Sequence, residues 1–258
     1  QFQLNPRPQL SAGEVGYIVA GVKSVQDIEI GDTVTLLNRQ AEEPIPGYQK
    51  ARQVVFSSIY PMDTGEYPEL PKSLEKLAIN DAALTFEKDS SAALGFGFRC
   101  GFLGLLHLDV IQERLQREFD IGLVISAPSV KYKLKLKDGS EIEVDNPSYW
   151  PDPMAIESAS EPYIKASIIT PETYVGGVME LCREHRSESQ TMNYLSANRL
   201  EVTSIMPLGE VLFEFYGKLK MLTRGYGSFD YVPIEYRTTD IVKVDIMVNK
   251  EPVDTLSY

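Results

Sequence analysis

Cysteine, histidine and tryptophan are scarce in this 258-residue chain, at two, two and one. So few sulfur and imidazole groups exclude a disulfide framework, which small secreted domains build from several pairs. Cys100 and Cys182 each sit in an apolar setting and read as core thiols of a reducing compartment. A zinc site takes about four ligands at short paired spacings. Cys100 with His107 and Cys182 with His185 supply only two separate pairs, so no metal centre is expected. A cysteine–histidine nucleophile would need spatial adjacency, and no third orienting group or oxyanion site accompanies either pair, so no catalysis is expected. No apolar run approaches the roughly 18 residues of a spanning helix. The opening QFQLNPRPQL carries neither the basic nor the apolar region of a signal peptide. The phosphate loop G-x-x-x-x-G-K-[ST] is absent too. Positive charge is also short. With 25 Lys and Arg against 37 Asp and Glu, the net charge of −12 counts against free-standing nucleic-acid affinity and leaves only local basic patches for an RNA partner.

What is present is a chain that is 43% hydrophobic and 24% charged, enough to bury cores of two domains, or of one domain with pieces of another. GEVGYIVAGVKS, DTVTLL and KARQVVFSSIY are short runs rich in Val, Ile and Tyr with turn residues between them, the pattern of barrel strands. They are too few to close a barrel, so residues 1–56 are expected to be the last part of one, with a small standalone β-sheet leaning on the neighbouring domain as the alternative. From Ser57 the order becomes strand, helix (ELPKSLEKLAIN), strand (ALTFEK), strand (GFGFRC), helix (LLHLDVIQERLQREF), strand (VISAPSVKYKLKL). In the second of these helices Leu108, Ile111, Leu115 and Phe119 form one stripe, while Glu113 with Arg117 and Arg114 with Glu118 make solvated i,i+4 pairs. The same order then returns: YIKASIIT, PETYVGGVMELCREHR, TMNYLSA, RLEVTSIMPL, GEVLFEFYGKLKMLTRG and IVKVDIMVN. Leu212, Phe215, Leu219 and Leu222 give the last helix its inward stripe, and Gly225 is placed to end it. The expected fold class is therefore α+β: a partial β-barrel followed by two tandem ferredoxin-like βαββαβ modules over 57–146 and 162–258, with a Pro-rich linker at 147–161.

Two basic stretches bear on an RNA partner. Lys131, Lys133, Lys135 and Lys137 alternate with apolar residues and would share one strand face. A three-residue loop at Asp138, Gly139 and Ser140 would set Lys137 opposite Glu141, Lys135 opposite Glu143 and Leu136 opposite Ile142, which neutralises the stripe. Lys218, Lys220 and Arg224 lie on the polar side of the last helix, before the Gly225-Tyr226-Gly227 turn. That layout suits phosphate contacts, and it also suits a plain solvated face. Trp150 in the linker reads as a packing anchor in preference to a base-stacking platform.

The segments GFGFRCGFLGLLHLDVIQERL (Gly95 to Leu115), SAGEVGYIVAGVK (Ser11 to Lys23), PGYQKARQVVFSSIYP (Pro46 to Pro61) and YGKLKMLTRGYGSFDY (Tyr216 to Tyr231) together resemble the LepA, or elongation factor four, family of translational GTPases. The resemblance covers nearly the whole chain. Factors of the elongation factor G type share these motifs but carry a large domain between the two modules, where this chain has a short linker. The resemblance implies the end of domain II, then domain III, then domain V, without the G domain or the basic C-terminal domain. It implies a parent that binds GTP with magnesium and hydrolyses GTP, and a segment that holds no cofactor and performs no catalysis. The ribosome, both RNA and protein, is the implied partner, with transfer RNA reached through the C-terminal domain. The implied role is back-translocation of transfer RNA and translational fidelity, by a monomer in the cytoplasm on the ribosome. A peripheral place at the inner membrane or an organellar counterpart are further implied locations. Arg99 and His107 become candidates for a domain interface, and Lys218, Lys220 and Arg224 for contact with ribosomal RNA. The alternative is a nucleotide-independent RNA- or protein-binding module of two ferredoxin-like domains.

Overall fold

The computed structural model of the protein describes residues 6–19, 21, 28, 31–43, 45, 47, 52–253 and 257. The chain divides into two compact units, Gln1–Lys50 and Ala51–Tyr258. In the first, the described residues form one isolated antiparallel bridge, Leu36 to Arg39, steadied by the Thr35 hydroxyl, which donates to the Arg39 carbonyl at 2.9 Å. Strands expected over 13–24 and 32–37 are not formed among the described residues, and residues 20, 22–27, 29 and 30 lie outside them. Val15, Tyr17 and Val19 are exposed. An alternating apolar pattern becomes a strand only where a neighbour supplies ladder partners and a face to bury.

The second unit opens with strand β1 (Val55–Pro61), helix α1 (Glu69–Asn80), strands β2 (Thr85–Ser91) and β3 (Gly95–Phe102), helix α2 (Leu105–Phe119) and strand β4 (Leu123–Ile125). The sheet order β2-β3-β1-β4, antiparallel throughout, is the expected ferredoxin-like arrangement. Ile59, Phe98, Cys100 and Phe102 point to the helices and meet Leu70, Leu74 and Leu77 of α1 and Leu108, Ile111 and Leu115 of α2, all at most 7% exposed. Full burial of each such side chain contributes about 1.5–3 kcal/mol. Both outward pairs on α2 form, Arg117 to Glu113 at 2.6 Å and Arg114 to Glu118 at 2.8 Å.

The second module contains strand β7 (Ile156–Pro171), helix α3 (Val175–Glu184), strands β8 (Ser189–Ser196) and β9 (Arg199–Pro207), helix α4 (Phe215–Leu222) and strand β10 (Ser228–Thr239). Strand β9 lies along one edge of β7 and β10 along the other, with β8 outside β9. Ile164, Ala166, Ile168, Val202 and Met206 face Val178, Cys182, Phe215 and Leu219.

Five further expectations are corrected. The segment KYKLKL does not continue β4. It forms β5 (Tyr132–Leu136), which with β6 (Glu141–Val144) makes a hairpin on the second sheet, pairing with β7 at Ile156–Ser160. β7 therefore starts at Ile156, inside the stretch read as linker. The hairpin register pairs Lys133 with Glu143, Leu134 with Ile142 and Lys135 with Glu141. It differs from the expected register by two residues along β5 and so keeps every side chain on its face. The cause is Gly139, whose φ of +87° places it as the left-handed residue that closes the loop.

The last helix breaks at Phe213 and Glu214. Leu208–Val211 is a 3-10 turn and Glu214 has φ +53°, so Leu212, Phe215 and Leu219 are buried while Leu222 is 39% exposed. Gly225, at φ +85°, does end the helix, and its N–H bonds to the Lys220 carbonyl at 2.7 Å. The final strand is SFDYVPIEYRTT, and IVKVDIMVN contributes only Met247–Val248, β11, paired with Glu251–Pro252, β12. Pro233 lies within this strand, at an edge position where the ladder register shifts and the missing N–H is tolerated.

Candidate functional site

Strand β3 reads Gly95-Phe-Gly-Phe-Arg-Cys-Gly-Phe102, and its alternation sorts these residues onto two faces. Phe98, Cys100 and Phe102 go to the helix core; Gly97, Arg99 and Gly101 go to the opposite face. A Cβ at Gly97 would lie 2.4 Å from Tyr60 Cδ1 and 2.5 Å from the Ile59 carbonyl oxygen. One at Gly101 would lie 2.6 Å from Thr85 Oγ1. The glycines let Tyr60 and Thr85 lie against the strand, with Arg99 between.

Arg99 is 5% exposed. Its guanidinium donates to Ser58 Oγ at 3.2 Å, to Ser129 Oγ at 2.5 Å and to the Asp145 carbonyl. Its Nε sits 3.4 Å from Asp145 Oδ1, yet makes no hydrogen bond. Burial pushes the Arg99 pKa down, opposed by the Asp145 and Asp89 carboxylates. Asp89 of β2, 6% exposed, accepts from the Ser58 hydroxyl at 2.5 Å, Tyr60 at 3.0 Å, Asn146 at 3.4 Å and Tyr149 at 3.2 Å. Asp145, Asn146 and Tyr149 follow the β5–β6 hairpin, so this cluster joins the first sheet to a segment anchored on the second.

Arg99 was singled out from the sequence as a domain-interface candidate; Asp89, Asp145, Asn146, Tyr149 and Ser58, which surround it, were not. One signal was available: a strand face reading Gly-x-Arg-x-Gly has no side-chain bulk around its cation, which marks a close approach by another element.

His107 makes its described contacts inside the first module. Its Nδ1 accepts from the Leu103 N–H at 3.0 Å, so Nε2 carries the proton donated to Asp81 Oδ2 at 2.8 Å, and the ring stands edge-on to Phe102. It ties the β3–α2 junction to the end of α1. Gly104 at that junction is approached by Tyr231 of β10, whose hydroxyl would be 3.3 Å from a Cβ there. His185 stands edge-on to Phe215, with its Nδ1 3.5 Å from Glu210 Oε2. Cys100 and Cys182 are buried free thiols whose pKa values burial pushes up to about 12 and about 11. Among the described residues no group of three or more His, Cys, Asp or Glu is placed to hold a metal ion.

The lysine stripe is neutralised. Lys131 and Lys133 lie 3.3 and 3.7 Å from Glu143, Lys135 lies 3.0 Å from Glu157, and Lys137 donates to the Met154 carbonyl at 2.6 Å. Trp150 packs edge-on to Tyr132 beside Leu134 and Val144. The other basic group is divided. Lys218 pairs with Glu214 at 3.3 Å, and Lys220 donates to the Gly227 carbonyl at 2.6 Å, closing the turn after α4. Arg224 is exposed at φ +52°, beside exposed Tyr226.

Comparison with known proteins follows this architecture. A family model described as the elongation factor G C-terminus matches residues 158–247, from β7 to β11. Elongation factor 4 2 of Rhodopirellula baltica is 82% identical over all of this chain, which covers 43% of that protein. Elongation factor 4 of Desulfotalea psychrophila is 59% identical over 100% of the chain and 43% of the relative. Elongation factor 4 of Treponema denticola is 56% identical over 99% and 43%. The chain thus spans less than half the length of the curated relatives it matches.

Proposed function

Because this chain belongs to the elongation factor 4 family and matches 43% of the length of its relatives, we propose that it is a non-catalytic relay within a ribosome-binding translational GTPase. The observation that carries this reading is the 82% identity to a named elongation factor 4 along the entire chain. GTP and magnesium are assigned to a part of the parent other than this chain, whose sequence has no phosphate loop. The two modules pass the nucleotide state on to ribosomal contacts, and the parent, a cytoplasmic monomer, shifts transfer RNA backward on the ribosome in the service of fidelity. The comparisons give no support to inner-membrane association, and no described helix is long and apolar enough to cross a membrane.

The contact surface assigned to ribosomal RNA is the α4–β10 turn. Arg224 is its principal cation, because it is exposed and has no ion pair among the described residues. Lys218 is shared with Glu214 and Lys220 holds the turn in shape. In the full-length parent, Lys218→Glu with Arg224→Glu should weaken ribosome cosedimentation and flatten its dependence on salt by about one phosphate contact per charge removed. Unchanged cosedimentation across a salt series would rule the patch out. A parent reading frame without a phosphate-loop domain upstream would overturn the GTPase reading itself.

A further inference from the structure

The first module has a four-stranded sheet and the second a six-stranded sheet that includes the β5–β6 hairpin, and no strand pairing runs between the two sheets. What joins them is short. Ser126 and Ser129 still bond to β1, with the Ser126 N–H on the Ser58 carbonyl at 2.9 Å and the Ser129 N–H on the Phe56 carbonyl at 2.8 Å. Tyr132 is already in β5, on the second sheet. Only Val130 and Lys131 lie between, and Val130 belongs to a buried apolar cluster continuous through both modules, which supplies a pivot.

Away from that pivot the contact changes character. Asp145, Asn146 and Tyr149 meet the first sheet through Arg99 and Asp89, and the Ser129 hydroxyl also donates to the Asp145 carbonyl. Two carboxylates and one guanidinium are withdrawn from water there, and Arg99 Nε has no hydrogen bond in return. Desolvating such a pair costs about as much as its attraction returns, so it confers specificity of position more than net stability. Beside the pair runs a cleft of about 590 Å³, lined among others by Arg52, Glu87, Lys131 and Tyr236. The seam is therefore specific, polar and incompletely filled, as interfaces between movable domains are.

We propose that the two modules form a two-position joint, hinged at Val130 and Lys131 and held shut by Arg99 on Asp145, with the shut and open positions both populated in the native chain. The joint is a property of the chain alone and does not depend on the translational role. Opening moves the hairpin and Asp145–Trp150 away with the second module and exposes the Arg99 face of the first sheet. Arg99 is a positioning residue in this scheme.

Nitroxide labels at Glu75→Cys in α1 and Glu180→Cys in α3 report the joint by pulsed electron paramagnetic resonance. Cys100 and Cys182 are fully buried, so a brief reaction labels the two introduced, exposed thiols first. The doubly labelled chain should show a main distance and a minor one. Adding Arg99→Met should raise the minor population by at least about tenfold. Asp145→Asn, which keeps the carbonyl acceptor, should move it less in the same direction, and far-UV circular dichroism should not change. A single unaltered distance in all three proteins overturns the proposal, as does a new distance that comes only with loss of helix. Should Arg99→Met not fold, the parent and Asp145→Asn distributions decide by the same criteria.

Discussion

The two modules of the second unit share one topology and differ in the sheet face turned away from their helices. In the first, that face carries Gly97, Arg99, Gly101 and Asp89 and is covered by the segment following the hairpin. In the second it carries Lys165, Ser167, Glu201 and Thr203, all exposed or half-buried, with a Ser167–Glu201 hydrogen bond lying flat on the sheet. The helix-side cores are alike, each closed by fully buried side chains such as Leu115 and Phe215. A ferredoxin-like sheet thus needs only one apolar face to fold; its other face is free to become a joint or to stay wet. Tyr163 lies on this same face by alternation with Lys165 and Ser167, but it is 5% exposed and covered by the Arg237 guanidinium 4.8 Å from its ring centroid, so it offers no open ring to stack on a base.

Equivalence of the two cores is the claim with the largest expected effect. Phe215→Ala should cost about 3–5 kcal/mol and Leu115→Ala about 2–5 kcal/mol in urea unfolding. A loss below about 1 kcal/mol at either site would show that one core is not closed. The covered face comes next. Gly97→Ala should destabilise by about 1–3 kcal/mol, because Tyr60 and the Ile59 carbonyl occupy the space of the new Cβ. Gly176→Ala in α3, with no atom within 4 Å of its Cβ position, should instead stabilise by up to about 1 kcal/mol. Equal effects at the two glycines would erase the distinction between covered and open surface.

The thiols sharpen the comparison through pH. Folding keeps Cys100 protonated up to about 12 and Cys182 up to about 11, against an ordinary value of 9.0. Above 9.0 the unfolded chain releases these protons and the folded chain does not, so their contribution is complete below that pH and is lost as pH rises toward 11 and 12. Thermal unfolding followed from pH 8 to 10 should show the decline begin, and Ellman's reagent at pH 8 should react faster with Cys182 than with Cys100. A faster Cys100 would mean that the first core opens more readily. The smallest effect is expected on the wet face, where Lys165→Ala should change stability by no more than about 0.5 kcal/mol.

Much of the architecture was legible. The repeated strand–helix–strand–strand–helix–strand order was readable because periods of two and near 3.6 are local, and α2 carries the stripe and both ion pairs that its spacing requires. The apolar run at 241–248 was misleading: local propensity favours it as the last strand, but β7 pairs with Ser228–Thr239. KYKLKL was legible as a strand but not as part of the second sheet, since alternation does not name a partner. Of the candidate site, only Arg99 was named from the sequence, as a residue placed to meet a neighbouring domain. Asp89, in the polar run Glu87 to Ser91, carries no signal of burial in its near neighbours and is buried because Tyr60 of β1 and the pair Asn146 and Tyr149 converge on it from two distant parts of the chain.

By itself the sequence determined the kind and order of the elements, the inward residues of α2, the neutral character of the lysine stripe and the family. Each of these depends on spacing between near neighbours or on likeness along the chain. The tertiary structure alone decided which edge β5 joins, where the last strand lies, and that the glycine-flanked arginine closes a seam between two sheets. Those outcomes depend on contacts dozens of residues apart, whose free energies are settled only when both partners are folded and in place.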